Sequence, residues 1–291
     1  MKVYFKLLRP KQWYKNFLVF TPLIFTLNLF DVNYVSLNII GFVILCISSS
    51  GAYVINDVLD YKRNQLHSIK KNRPIASGKV SRKNAIVYAI CLLVASCLVS
   101  SIFGLELLLI NMALIASMLV YSSILKHIIF VDVFMIAINY IIRTIAGLII
   151  IEAEISRYIV IGIFLLTLLL AFSKRKSEIS FLKNASHHRQ TLKKYSEKML
   201  NISMIIIVVL IIITYLVYTI IGPIVAEDRR LVLTAPLLIF ILIYYTRFIF
   251  KYGYKGKELN DLIAHNKILA GFILLFLGMV IILLYTPFKI F

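Results

Sequence analysis

A chain of 291 residues that is 61% apolar and 15% charged, with a mean hydropathy of +0.92, lies outside the soluble globular range, where apolar content is near half and charged content near a quarter. It reads as a membrane protein, so its net charge of +19 is first a question of where the cations lie and not a sign of nucleic-acid binding. The three cysteines, Cys46, Cys91 and Cys97, sit in apolar runs without CxxC or Cys/His spacing and are assigned to packing.

The basic N-terminus MKVYFKLLRPKQWYKN leads into an apolar segment with no small-residue cleavage site, so no removed signal peptide is expected. About twenty apolar residues cross roughly 30 Å of hydrocarbon. On that unit the sequence predicts nine spans, at about 17–32, 35–55, 84–102, 105–124, 129–151, 156–173, 199–221, 231–250 and 268–287. The first is short and carries Pro22, which predicts a kink or tilt. The two longest polar gaps are 56–83 and 174–198, and no soluble domain fits between the spans. The expected architecture is an all-α polytopic bundle of about nine transmembrane helices, one integral membrane domain over residues 1–291, with a cytoplasm-facing cavity.

The cations sort by loop. Five precede the first span, eight lie in 56–83, one is Lys126, eight lie in 174–198 and five in 247–267, which is 27 of the 32 Lys and Arg. The alternate loops hold only Arg157, Arg229, Arg230 and Lys289, and Arg143 lies inside a span. Positive-inside sorting then places the N-terminus and the rich loops in the cytoplasm of a cell-membrane protein.

Sorting explains cations but not acids at membrane depth. Asp57, Asp60, Asp132 and Glu178 fall at or just inside the cytoplasmic ends of spans. If the second span continues as a helix, Asp57, Asn64, Asp60 and His67 lie at about 0°, −20°, −60° and −80°, on one face. The plain alternative is a set of helix-end polar groups paired with Lys62, Arg63 and Lys70. Two carboxylates on adjacent turns, however, repel unless a cation lies between them. Two Asp and an amide, Asn64, suit a hard cation that keeps its water and shares phosphate oxygens, which is the behaviour of Mg²⁺. Lys70, Arg73 and Lys79 follow in the same loop; each alone reads as a solvated positive-inside cation, but together with the Asp face they suggest an anion site, and the PIASG turn after Arg73 lets backbone approach a ligand.

In the other long gap the sixth span runs into SKRKSEIS, where Lys174 and Glu178 have the spacing of a surface helical pair. Lys126, Asp132 and Arg143 are further single candidates. Arg143 lies within a span, where an isolated guanidinium costs at least ~2.5 kcal/mol, so it needs a partner or a polar cavity. Asp132 is eleven residues away on the same helix, about 16 Å along its axis, too far to pair with it. The histidines show no ligand spacing, and no GxGxxG, GxxxxGK[ST], HExxH or GxSxG occurs.

ND-x2-D at the end of the second span, with a second polar cluster after the sixth, resembles the UbiA-type intramembrane prenyltransferase superfamily. Within it the chain is most similar to the branch of decaprenyl-phosphate phosphoribosyltransferase. The resemblance is carried by LRPKQWYKNFLVFTPLIF (8–25), the stretch from Tyr53 to Ser77, YSSILKHIIFVDVF (121–134), IIRTIAG (141–147), KRKSE (174–178) and RQTLKKY (189–195). It implies that Asn56, Asp57 and Asp60 hold Mg²⁺ and a diphosphate, with Asn64 standing where the family more often has a third Asp. It also implies that Lys15, His67, Lys70, Arg73, Lys126 and Glu178 bind substrate and that Lys174 and Arg175 act in catalysis.

The implied reaction is Mg²⁺-dependent transfer of 5-phosphoribosyl from phosphoribosyl diphosphate to a polyprenyl phosphate at the cytoplasmic face. The basic KRKSE, in place of a second aspartate-rich motif, favours a phosphate-rich donor. Two other readings stay open: prenyl transfer to an aromatic acceptor, and a non-catalytic lipid transporter. Expected partners are the two substrates and membrane lipids, with no nucleic acid; self-association is left open.

Overall fold

The computed structural model of the chain describes residues 2–66, 70–154, 157–181, 195–222, 229–252 and 266–286, and every regular element among them is helical. In chain order these are α1 (Lys2–Leu7), a 3-10 stretch (Pro10–Phe20), α2 (Thr21–Phe25), α3 (Val32–Leu59), α4 (Tyr61–Leu66), α5 (Arg82–Ile102), α6 (Leu105–Ser123), α7 (Val131–Ile150), α8 (Arg157–Phe181), α9 (Glu197–Ile221), α10 (Ala235–Tyr252) and α11 (Lys267–Tyr285). Eight of the described helices are long and apolar enough to cross a membrane, so this is an all-α, multi-pass membrane protein. The chain divides into two compact units, Met1–Leu23 with Asn28–Ile155, and Ile24–Leu27 with Ser156–Phe291.

The first expected span, 17–32, is not one of the eight. It is replaced by eleven residues of 3-10 helix followed by the five of α2. A 3-10 helix has three residues per turn and rises ~2 Å per residue, so the two pieces together still cover on the order of 30 Å. The cause lies in a period of three that a 3.6-residue reading misses: Trp13, Asn16 and Val19 stack on one edge and all face the first unit's core. Trp13 Nε1 donates to Ser50 Oγ at 3.1 Å, Asn16 is fully buried, and so is Val19. Gly147 of α7 permits this seat, because a Cβ there would stand 2.1 Å from the Val19 carbonyl oxygen.

In the first unit α3 is the central helix, packed by α5, α6, α7 and the 3-10 stretch. It starts where Asp31 caps it, the carboxylate accepting from the amides of Asn33 (2.8 Å) and Tyr34 (3.4 Å). Its 28 residues extend about 42 Å, longer than a ~30 Å hydrocarbon core, which leaves a polar last turn room to emerge. The core is apolar, built on Ile44, Leu45, Leu107 and Leu114, but it is stitched by polar pairs. Ser48 donates to Asn111 Oδ1 at 2.6 Å, tying α3 to α6, and Ser117 donates to Asn139 Oδ1 at 2.9 Å, tying α6 to α7. Apolar side chains are no more buried against each other than against lipid, so such bonds and close contact supply much of the cohesion.

The second unit is described by itself. α8 packs on α9 and α10 on α11 and α9, around Leu169, Leu200 and Met204. Ser196 caps α9 by accepting from the Met199 amide (3.1 Å), and Asn266 caps α11 through the Leu269 amide (3.0 Å).

Candidate active site

The last turns of α3 carry the acids. Asp57 is 3% exposed, and its Oδ1 accepts from three side chains: Arg9, Arg73 Nη1 at 2.6 Å and Asn64 Nδ2 at 3.3 Å. The helix pauses at Asp60, whose amide still bonds to the Asn56 carbonyl at 3.0 Å, and resumes as α4, the Asn64 amide bonding to the Asp60 carbonyl at 2.8 Å. The near-continuous winding brings Asn64 onto Asp57's face, as the helical spacing predicts. Asp60 Oδ1 pairs with Lys126 Nζ at 2.7 Å, and Lys126 is itself buried in the turn between α6 and α7.

Three separate segments therefore deliver cations to one stretch of helix. Arg73 comes from a loop wound into turns, with its carbonyl holding the Ser77 amide at 2.8 Å and Pro74 holding Val80 at 3.1 Å. The PIASG turn is anchored by Ile75, which with Val80 packs against Leu7, Val54 and Ala85, and by buried Ala76, while its Ser77 and Gly78 are exposed. Gly78, at φ +76°, closes that turn where a side chain would be strained. Burial pulls the Arg73 guanidinium below its ordinary pKa, and the neighbouring Arg9 charge adds to this, against the opposing pull of Asp57 and Asp60. A cation held under that stress gains from any further negative charge.

Arg9 pairs with Asp57, although its place in the sequence puts it among the topology cations. Its backbone is left-handed (φ 52°, ψ 58°) immediately before Pro10. A non-glycine there costs on the order of 1–2 kcal/mol, offset by the Asp57 ion pair and by the guanidinium's position 5.2 Å from the Tyr53 ring centroid. An Arg preceding a Pro at the start of a period-three segment was the available signal. Lys15 lies close by, donating to Gln12 Oε1 at 2.6 Å and 5.9 Å from the same Tyr53 ring.

The other expected residues divide. Asn56 is half-buried in the turn that carries Asp57, and Lys70 caps the loop's single 3-10 turn, its carbonyl accepting from the Arg73 amide at 3.0 Å. His67 and the stretch 189–194 lie outside the described residues. In the second unit, Arg175 is 1% exposed and pairs with Glu178 Oε2 at 2.7 Å, one residue closer than the Lys174 partner suggested by spacing; Lys174 is exposed. Lys176 is buried, bonded to Asn201 and 4.0 Å from the Phe250 ring.

Could these side chains hold a metal? Among the described residues no three His, Cys, Asp or Glu side chains form a ready cage. The available set is Asp57, Asp60 and Asn64. The hydrogen bonds and ion pairs of Asp57 and Asp60 fall on Oδ1 of each carboxylate, and a carboxylate has a second oxygen; Asn64 turns its amino group to Asp57, leaving its carbonyl as an acceptor. Three oxygen ligands fit a hard cation that keeps water and shares phosphate oxygens.

Known proteins give the arrangement a family. The profile of the UbiA prenyltransferase family matches residues 18–260. The chain is 30% identical over 200 residues to the decaprenyl-phosphate phosphoribosyltransferase of Mycolicibacterium smegmatis, covering 67% of this chain and 63% of that one. The match to the Mycobacterium tuberculosis protein of the same name is 29% over 196 residues, 66% and 65%. The chain thus spans a little under two thirds of the length of these relatives. In fold it is similar to a UbiA homolog from Archaeoglobus fulgidus bound to DMAPP and Mg²⁺, with a TM-score of 0.71 and 21% identity over 97% of this chain and 99% of that one. The chain belongs to the UbiA prenyltransferase family.

Proposed function

We propose that the protein is a transferase that moves the 5-phosphoribosyl group from phosphoribosyl diphosphate to a polyprenyl phosphate. We place the reaction at the cytoplasmic face of the cell membrane, with the N-terminus and basic loops on that side and the two units acting as one transferase domain. The carrying observation is the excess of cations at the end of α3: Arg9 and Arg73 meet Asp57, Lys126 meets Asp60, and Lys15 lies beside the ring of Tyr53 one turn earlier. That excess suits a donor rich in phosphate meeting a phosphate acceptor. The phosphoribosyltransferase relatives agree with it.

Asp57, Asp60 and Asn64 would hold Mg²⁺, which when bound neutralises charge on a leaving diphosphate. Arg73 and Arg9, already at Asp57, are placed to move part of their bonding onto phosphate oxygens, the stronger charge-assisted pairing for a guanidinium. Lys126 holds Asp60 in place through their ion pair. His67, Lys70 and Asn56 extend the donor site on the strength of the family motif. Arg175, held by Glu178, and Lys174 are the second unit's candidates for phosphate contact. In the step itself an acceptor phosphate oxygen attacks C1 of the ribose, the C1–O bond to diphosphate breaks, and diphosphate leaves with the bonding electrons. A phosphate monoester is nucleophilic at neutral pH, so no general base is needed and catalysis rests on positioning and charge stabilisation.

Prenyl transfer from a prenyl diphosphate is the second reading, favoured by structural neighbours solved with DMAPP and GPP. Purified protein with Mg²⁺ and decaprenyl phosphate, given labelled phosphoribosyl diphosphate or labelled prenyl diphosphate, separates the two. Label from the ribosyl donor is expected in the lipid; label from the prenyl donor alone would overturn the proposal.

A further inference from the structure

We propose that Arg9, Gln12 and Lys15, ranged along the ring of Tyr53, form the subsite that receives the acceptor's phosphate monoester; this rests on the phosphoribosyl-transfer reading. Gln12 and Lys15 are three residues apart in the 3-10 stretch and share an edge beside the Trp13–Asn16–Val19 row that faces the core, and Arg9, the residue before that stretch, adjoins them through its carbonyl, which accepts from the Gln12 amide at 2.8 Å. Tyr53 stands one turn before Asp57 on α3, so its ring and that carboxylate share a face. The Arg9 guanidinium lies 5.2 Å and the Lys15 ammonium 5.9 Å from the centroid of that ring, and Lys15 also lies 5.7 Å from the Tyr14 ring and bonds to Gln12 Oε1 at 2.6 Å.

Two cations drawn to a single ring repel each other, and a phosphate dianion between them converts that repulsion into two charge-assisted contacts. The row also has the polarity of an amphiphile. Beyond Lys15 the same edge continues as Leu18, in an apolar run, so a lipid tail can follow the segment while its head stays with the cations. Arg9 joins this subsite to Asp57, which sets an acceptor oxygen next to the groups assigned to the leaving diphosphate. Arg73 and Lys126 reach Asp57 and Asp60 from other segments and are left to the donor.

The test uses the full-length protein in neutral phosphatidylcholine nanodiscs, with Lys15→Gln and the charge-restoring Lys15→Arg. Lys15→Gln should raise the KM for decaprenyl phosphate about tenfold, the loss of one contact to a charged group, while the donor KM moves less than about twofold. Lys15→Arg should recover most of the loss. In direct binding without donor, the wild type should prefer decaprenyl phosphate to neutral decaprenol, and Lys15→Gln should erase that preference. An equal rise in both KM values, an unchanged preference, or displacement by phosphatidic acid as effective as by decaprenyl phosphate would overturn the subsite. If no ribosyl label transfers at all in the wild type, the function reading fails, while the binding preference still decides the subsite.

Discussion

Asp57 and Arg143 are each 3% exposed, both within the first unit, and the chain has dealt with the two buried charges in opposite ways. Asp57 is met by charged groups, Arg9 and Arg73, at the ends of long side chains from separate segments. Arg143 is met by neutral groups fixed on packed helices: its Nε donates to Asn16 Oδ1 at 2.7 Å, its Nη1 to the Asn139 carbonyl and its Nη2 to Ser49 Oγ at 3.4 Å, with Met118 Sδ at 3.7 Å. Asn16 in turn reaches Cys46 Sγ at 3.2 Å, so the guanidinium ties the 3-10 stretch to α3 and α7. Partners on flexible cations can be exchanged for a ligand's oxygens. Partners supplied by backbone and short amides cannot, and they hold the scaffold in which the first set moves.

Substitutions that treat the two sites alike should therefore give different readouts. Asp57→Ala should lower transfer by ~10³-fold or more, the scale of losing electrostatic support for a developing charge, while the melting temperature shows a folded protein. A variant that keeps its rate would break the contrast. Arg73→Ala should act next, raising the donor KM by about 10- to 100-fold with little change in the acceptor KM, consistent with one charge-assisted bond. Arg143→Leu leaves Asn16 without its main donor and should cost about 1–3 kcal/mol of stability, seen as a lower melting temperature, with activity falling only in step with the folded fraction. If Arg143→Leu instead shifted the Mg²⁺ requirement of a fully folded protein, Arg143 would belong with the first group.

The acids were legible because they depend on one helix: the 3.6-residue period alone places Asn64 over Asp57, and the structure bonds them at 3.3 Å. Arg73 and Lys126 were legible as candidates, but which acid each would meet was not, since their partners lie 16 and 66 residues away in sequence. Arg9 lies 48 residues from Asp57, and a cation that pairs with an acid looks in sequence like one that meets headgroups. Arg143's need for partners followed from its depth, whereas Asn16 as the answer depended on a 3-10 winding that apolar content cannot reveal. The same winding removed one of the nine expected spans. Second-unit spacing pointed to Lys174 as a neighbour of Glu178, and the helix brings the i,i+3 neighbour Arg175 to that carboxylate at 2.7 Å.

Asn64 offers the finest adjustment of the Asp57 site, because it is the neutral member of an otherwise charged group. In the present chain its amino group donates to Asp57 Oδ1, a role an ionised aspartate cannot fill. Asn64→Asp would thus place a second carboxylate against Asp57, destabilising the metal-free protein by like-charge repulsion. The same change would add one negative ligand to the set proposed for Mg²⁺, and the two effects have opposite signs once metal is present. Half-saturating Mg²⁺ for transfer should fall severalfold, and the melting temperature, lowered without metal, should rise more steeply with added Mg²⁺ than in the wild type. A lower melting temperature that Mg²⁺ fails to restore would show that Asn64 only braces Asp57 and takes no part in holding the cation.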